Sequence, residues 1–379
     1  MTSRQRWPGL RRTWLAAVVV VLVAPLVAPA LAPWAAAATR PAGHPLQRSL
    51  YTYGDAGKGD RWTGSDGSYS LPLPDGRTLW MWGDTFFGTV RSDRSRAQQG
   101  FAHNTWVIQE RNGRWGKTFY RPDGLFGSAR AWANPEPANS TADPTWYWPG
   151  DATVVGNTVQ QILFRITGAG PAFGVVGVDV ATYQLPDLTP VGIAPAAAGF
   201  LPGLGDGPGG PVQFGVALLE TPDYLYIYGC EDFALQKHLQ VARVPRGRPL
   251  TDAWEYFDGE GWTTNPLLSA RTLDAVANEM SVVAIRGGFR LVAQEGGIGR
   301  DIYAYTAQSP QGPWGNRTLI FTTPEDPAKL FTYNAKEHPQ LARSGRILIT
   351  YNVNARNGGD LYSNVDNYRP RFVEVTPPR

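Results

Sequence analysis

Cysteine is all but absent from this 379-residue chain: Cys230 stands alone, so no disulfide can form within it. That excludes disulfide-stapled scaffolds and cysteine metal sets, and it leaves stability to a hydrophobic core. Histidine is scarce as well, with four in the chain, and no His-Glu-x-x-His motif occurs. A Gly-x-Ser-x-Gly nucleophile elbow is also missing. The glycine-rich run Gly54–Asp60 lacks the spacing and the Ser/Thr of a phosphate loop, and its Lys58 reads as a solvated turn. Long apolar runs are confined to the N-terminus.

There, Arg4, Arg6, Arg11 and Arg12 precede an apolar stretch from Trp14 to Leu31, and Ala36-Ala37-Ala38 supplies small residues for cleavage before Thr39. This is the order of an export signal. Arg11-Arg12 with Trp14-Leu15 behind it loosely resembles the twin-arginine form. Residues 1–38 are therefore expected to be removed, leaving 39–379 as one secreted domain with no stable membrane insertion. Prolines at 25, 29 and 33 interrupt the run and speak against a retained anchor. The four arginines of this segment have no acid beside them, so the formal charge of +3 belongs to it and the remainder sits near −1. Nucleic-acid binding needs a basic face, and the remainder has no surplus charge to build one.

What the remainder does have is glycine, proline and tryptophan, at 43, 32 and 14 residues, which favours short elements separated by turns. Helical periodicity is hard to find. Alternating or β-branched runs recur instead: Ser68–Leu73, Thr78–Trp82, Asn104–Gln109, Thr153–Val155, Val159–Ile166 and Phe173–Val180. Val212–Leu219, Tyr224–Tyr228, Leu239–Val244, Ser281–Ile285, Phe289–Ala293, Ile302–Ala307 and Arg346–Val353 continue the series. Cys230, just beyond one such run, reads as a small buried apolar residue. A polar residue marks the first strand of each hairpin, at Asp66, Asp151, Glu279 and His338, with a fainter counterpart near Gln213. Intervals of roughly 60 to 85 residues suit four-stranded blades with long loops. The expected fold is all-β, a five-bladed β-propeller, with a two-sheet sandwich as the alternative. Either Arg371–Val375 or an early strand at Leu50–Tyr53 would close the ring. Loops at Ser128–Pro144 and Ala194–Pro211 read as surface excursions that could wall a cleft.

Candidate chemistry centres on Pro74-Asp75-Gly76, which predicts a three-residue hairpin loop. Its register sets Leu73 against Arg77 and Asp66 against Asp84. Opposed β-carbons lie about 4.5–5.5 Å apart, and like charges that close need compensation or a shared proton. Glycosidic cleavage uses such a pair, one carboxyl as acid and the other as nucleophile or base. The alternative is that Asp66 opens a turn with Gly64 and Gly67 while Asp84 caps one before Thr85. The same logic around Arg286-Gly287-Gly288 sets Glu279 against Glu295, although Glu279 could equally pair with Arg300 or Arg271. Four carboxylates gathered at an axis would hold a cation such as Ca or Na, or raise one member into the range of a general acid. No cofactor is required, and no metal ligand set is assigned. Asp151 sits among Trp146, Trp148 and Tyr147, an acid beside rings that could stack on sugars; such rings are as often core as platform. His338, in Lys336-Glu337-His338-Pro339, is expected to open the last blade's inner strand and reads as an axial ligand or proton donor, or as a satisfied polar residue at a strand end. Glu231 and Asp232 are further acid candidates.

These residues carry a resemblance. Tyr51–Asp60, Asp66–Ser70, Leu73–Arg77 and the run Trp82-Gly83-Asp84-Thr85-Phe86 resemble domain-of-unknown-function families 5005 and 4185, as do Glu337-His338-Pro339 and Tyr351-Asn352-Val353-Asn354. The similarity runs from about residue 48 to the C-terminus. Those families in turn resemble the five-bladed propeller glycosidases, which include arabinanases, xylosidases and levansucrases, and relatives in the 4185 group are implicated in cutting D-arabinan. The resemblance implies that Asp66 is nucleophile or base and Asp84 the general acid. The chain departs from arabinanases in having no glutamate within Val212–Leu219, Glu220 following only at its end. The expected function is a secreted glycoside hydrolase acting on a polysaccharide such as an arabinan, with Asp151, Trp146, Trp148, Glu279, Glu295 and His338 around the substrate. A non-catalytic sugar-binding propeller is the second reading, and a lyase or phosphorylase the third. A monomer is expected.

Overall fold

The computed structural model describes residues 43–120, 132–133, 145–168, 173–196, 198–202, 211–233 and 236–377. The expected export segment, most of the loop at 128–144 and half of that at 194–211 lie outside these residues. Among the described residues the strands form six antiparallel sheets. Trp62–Ser65, Thr85–Val90 and Arg96–Ala102 make a three-stranded sheet that continues the first hairpin, and the other five sheets contain the inner strands Tyr69–Pro72, Thr145–Val155, Val212–Glu220, Ser281–Ile285 and Leu330–Glu337. Each inner strand lies against the next, and the fifth returns to the first where His338 Nδ1 meets Ser70 Oγ at 2.6 Å. Inner strands ringed about an axis, each backed by an antiparallel sheet, make a β-propeller and not a sandwich.

The sequence patterns follow from this packing. Middle strands are covered by a neighbouring blade on both faces, so Tyr224–Phe233 reads as an almost continuous apolar run and is buried through most of its length. Outermost strands such as Thr189–Pro195 face solvent throughout and carry no such signal. The largest core cluster joins the second, third and fourth blades and includes Cys230, fully buried as expected.

Three expectations need correction. Leu50–Tyr53 is not a strand but part of a helix, Pro45–Asp55. His44 caps it by accepting the Leu46 N–H at 3.3 Å, and Pro45 occupies its first turn, where a missing N–H does no harm. Leu46, Leu50 and Tyr53, spaced by four and three, lay one face on Trp80, Trp62 and Phe372. The helix still bridges the first and last blades, with Gln47 accepting the Phe372 N–H at 2.9 Å and Tyr51 donating to Pro370 O at 3.0 Å. Secondly, the inner strand of the last blade is Leu330–Glu337, so His338 ends it instead of opening it. The strand is polar and kinked at Asn334, whose φ is +58°, and this hid it from a pattern search.

Thirdly, the turn at Arg286-Gly287 has two residues, not three, because Ile285 pairs with Gly288. The register moves by one, and a one-residue shift sends a side chain to the opposite face. Glu279 therefore does not oppose Glu295. The latter is tied to Arg317 at 2.6 Å and to the Tyr305 hydroxyl, apart from the axis.

Replacing Leu50 with Ala should lower stability by about 2–5 kcal/mol, the range for a cavity in a packed core. Denaturant unfolding measures the loss, and hydrogen exchange should show helix 45–55 opening ahead of the inner strands.

Candidate functional site

The first hairpin forms as its turn residues dictate. Gly76 has a φ of +83° and donates to Leu73 O at 2.9 Å, while Leu73 and Arg77 face each other across the loop. The ladder holds its register from Leu71–Leu79 to Tyr69–Met81, breaks, and resumes in the same register at Ser65–Thr85. Asp66 and Asp84 are the opposed residues inside the break. Gly67, at φ +69°, lets the chain cross it: a Cβ there would stand 2.8 Å from the Gly83 nitrogen. A Cβ on Gly83 would stand 2.5 Å from Asp66 Oδ1, so the carboxylate rests over bare backbone. The Gly83 N–H donates to Asp66 O at 2.9 Å and holds the pinch closed.

The two acids have different surroundings. Asp66, half-buried, receives the Tyr333 hydroxyl at 2.9 Å and also that of Tyr368. Burial first, then the charge of Asp84, then that of Glu279, push its carboxyl up to about 8, against the pull of the two tyrosines. Asp84 keeps about a quarter of its side chain exposed, and its Oδ1 accepts two N–H groups, from Trp148 Nε1 and His103 Nδ1, each at 2.9 Å. His103 reaches it by register. Thr85 pairs with Ala102 on the third strand of that sheet, so the next step sets Asp84 beside His103. The imidazole is fixed by stacking on Trp146, ring centres 4.4 Å apart and planes within 16°. The neighbouring Asp84 charge thus helps Asp66 keep its proton, and a partly exposed carboxyl raised in this way is equipped to donate.

Below this mouth the axis is stopped. Tyr69 spans it, donating to Val216 O on the third blade at 3.2 Å, and Lys336 from the fifth blade lies over its ring at 4.1 Å. The Lys336 ammonium pairs with Glu279, which also accepts from Asn334 at 2.7 Å; the lysine side chain is 3% exposed. Burial raises the Glu279 carboxyl above its ordinary range, against the pull of Lys336. On the far side of the stopper is a cavity of about 200 Å³ lined by Tyr69, Asp151, Lys336 and His338. Asp151 accepts the Leu218 and Ala152 N–H groups at 2.8 Å each and is pushed up to about 6 by burial. His338 is buried, with Ser70 on one nitrogen and Thr350 on the other at 2.7 Å; burial, aided by Lys336, lowers it to about 3 and keeps it neutral. Among the described residues no group of three or more His, Cys, Asp or Glu is arranged to hold a metal ion.

The structure thus gathers Asp66, Asp84, Glu279, Trp148 and Trp146 at one mouth. It sets Asp151 and His338 beyond the stopper and Glu295 elsewhere. Glu279 uses Lys336, not Arg271 or Arg300: Arg271 pairs with Glu231, and Arg300 donates to Thr323 O. Glu220 is exposed and tied to Arg246. Sequence reasoning missed Lys336, Tyr333, Tyr368 and His103. Of these only His103 had a usable signal, the register of the third strand, whereas the others arrive from more than 240 residues away in the chain. Changing Lys336 to Met should destabilise the protein by about 3–5 kcal/mol, because a buried carboxylate loses its partner. Adding Glu279→Gln should recover much of that, and chemical unfolding of the single and double variants checks it.

Comparison with known proteins bears on this geometry. No curated protein matches the sequence. Among solved structures, a provisionally named hydrolase from Bacteroides ovatus ATCC 8483 is 23% identical, with a TM-score of 0.69 over 86% of this chain and 89% of its own. That likeness speaks to the fold. More distant are the exo-β-1,3-galactanase of Phanerochaete chrysosporium (13% identity, TM-score 0.45, 84% of this chain and 63% of that one) and the α-L-arabinofuranosidase PaAbf62A of Podospora anserina (11%, 0.45, 86% and 93%). The family model described as a domain of unknown function, DUF5005, matches residues 53–377, from the N-terminal helix to the end of the last blade. The chain belongs to the DUF5005 family.

Proposed function

We propose that the protein is a secreted glycoside hydrolase whose reaction is carried by Asp66 and Asp84. The observation that supports this most is the asymmetry of the pair. Asp66 is held protonated by burial and by two neighbouring negative charges. Asp84 is an acceptor for two fixed N–H donors. A proton source and a carboxylate on opposed strands meet the needs of glycosidic cleavage. In this reading Asp66 gives its proton to the glycosidic oxygen as the C–O bond breaks. Asp84, held by Trp148 and His103, serves the anomeric carbon as nucleophile or by deprotonating a water. The roles are the reverse of those the family resemblance implies. The galactanase and arabinofuranosidase named above are glycosidases, which is in keeping with a carbohydrate substrate. Residues 1–38 would direct export, and N-terminal sequencing of secreted protein should then begin at Thr39.

The decisive experiment compares variants on arabinan, xylan and galactan panels and on aryl glycosides with good leaving groups. Asp84→Asn should abolish hydrolysis of every substrate while the fold is retained. Asp66→Asn should lose polysaccharide cleavage by 10²-fold or more, in line with loss of a general acid, yet keep activity on dinitrophenyl glycosides, whose departure needs no proton. Full activity of Asp84→Asn would remove that residue from the chemistry, and equal losses on both substrate types would return the acid role to Asp84. Saturable glycan binding with no product from the wild type would leave a sugar-holding protein.

The pH dependence has a definite sign. Asp66 donates only while protonated, so kcat/KM should be sustained below its raised pKa and fall as pH rises through about 8. Glu279 contributes to that rise, so Glu279→Gln lowers the Asp66 pKa and the basic limb should move to lower pH. A limb that does not move would detach it from Asp66.

A further inference from the structure

Beside the acid pair runs a line of aromatic rings, of which only His103 and Trp148 hold Asp84. Tyr362, from the helical turn before the final strand, lies edge-on to Phe86 at 5.6 Å, and Phe86 lies edge-on to Phe101 at 5.3 Å. Phe101 meets His103 at 5.1 Å, His103 stacks on Trp146, and Trp146 and Trp148 both lean on Phe173, at 6.3 and 5.6 Å. Five separate stretches of chain build this line. Its outer rings are open to solvent: Phe101 is 39% exposed, Tyr362 41% and Phe173 57%. Large apolar side chains clustered on the surface mark a binding site. Asp84 lies along the middle of the line, joined to it by His103 and Trp148, so rings extend away from the acid in both directions.

Resting on the reading of the mouth as a glycan site, we propose that this rail binds a neutral polysaccharide chain along its length, with several sugars stacked to either side of the bond at Asp84. The occupant follows from the chemistry. Sugar rings present apolar C–H faces to aromatic rings while their hydroxyls reach adjacent carboxylates, and this rail sets Asp84 within a run of rings. A uronic-acid polymer would meet Asp66, Asp84 and Glu279 with like charge, and the mouth's own cation, Lys336, is already committed to Glu279. A protein docked on the same rings would cover the carboxylates that continue the line.

The test is binding of full-length protein to neutral polymers (arabinan, xylan, β-1,3-galactan) and to polygalacturonate as the acidic control, by affinity electrophoresis and calorimetry. The variant F101A/F173A/Y362A removes three exposed rings, and F173A alone serves if the triple variant unfolds at a lower midpoint. Expected are saturable binding of at least one neutral polymer, a loss of tenfold or more in the triple variant, a several-fold loss in F173A, and restoration by Phe173→Trp. Turnover of a small aryl glycoside should be unchanged by these substitutions. No neutral polymer bound, preference for polygalacturonate, or undiminished binding in both variants would each overturn the proposal. Binding that weakens as expected, with no product from any substrate, would sustain the rail and defeat the hydrolase reading; hydrolysis with undiminished polymer binding would do the reverse.

Discussion

The site depends on a pinch between two glycines. Gly67 and Gly83 meet where the first hairpin passes out of its blade, and neither can carry a side chain there without striking backbone or the Asp66 carboxylate. In an unbroken ladder Asp66 and Asp84 would be neighbouring charges on a regular strand pair, which is a destabilising arrangement. The break turns one acid toward the tyrosines of the last blade and the other toward the third strand and the second blade. Backbone freedom at two positions thus becomes chemical asymmetry between two identical side chains.

That asymmetry is supported from below. An open ring of inner strands would admit water along the axis and level the environments of its acids. Tyr69 and Lys336 prevent this by filling the axis, one with a ring that reaches across to the third blade, the other with a charge that offsets Glu279. The neutral His338 seals the seam between first and last blades through hydroxyls from both. A half-buried carboxyl raised above its ordinary range is sustainable at the mouth because functional sites commonly hold strain that the scaffold offsets elsewhere.

Much of the architecture was legible because blades write themselves locally. Middle strands such as Tyr224–Phe233 are apolar on both faces, and the Pro74-Asp75-Gly76 loop fixes its own register. The misreadings share a cause. Arg286-Gly287-Gly288 admits loops of two or three residues from composition alone, and choosing the longer moved Glu295 to the wrong face. Leu50–Tyr53 has strand-like residues, but a capping histidine and a proline start a helix before them. Leu330–Glu337 conceals its strand behind polar residues and a left-handed asparagine.

The sequence by itself determined the class of fold and the opposition of Asp66 to Asp84, since each rests on turn chemistry or strand periodicity within a few residues. Only the tertiary structure decided that burial and neighbouring charge raise the Asp66 carboxyl, that Glu279 has a lysine for company, and that rings from five stretches of chain line up beside Asp84. Burial and Coulombic interaction act between groups distant in the chain, and ring closure alone brings the last blade's Tyr333, Lys336 and Tyr368 to the first blade's acids.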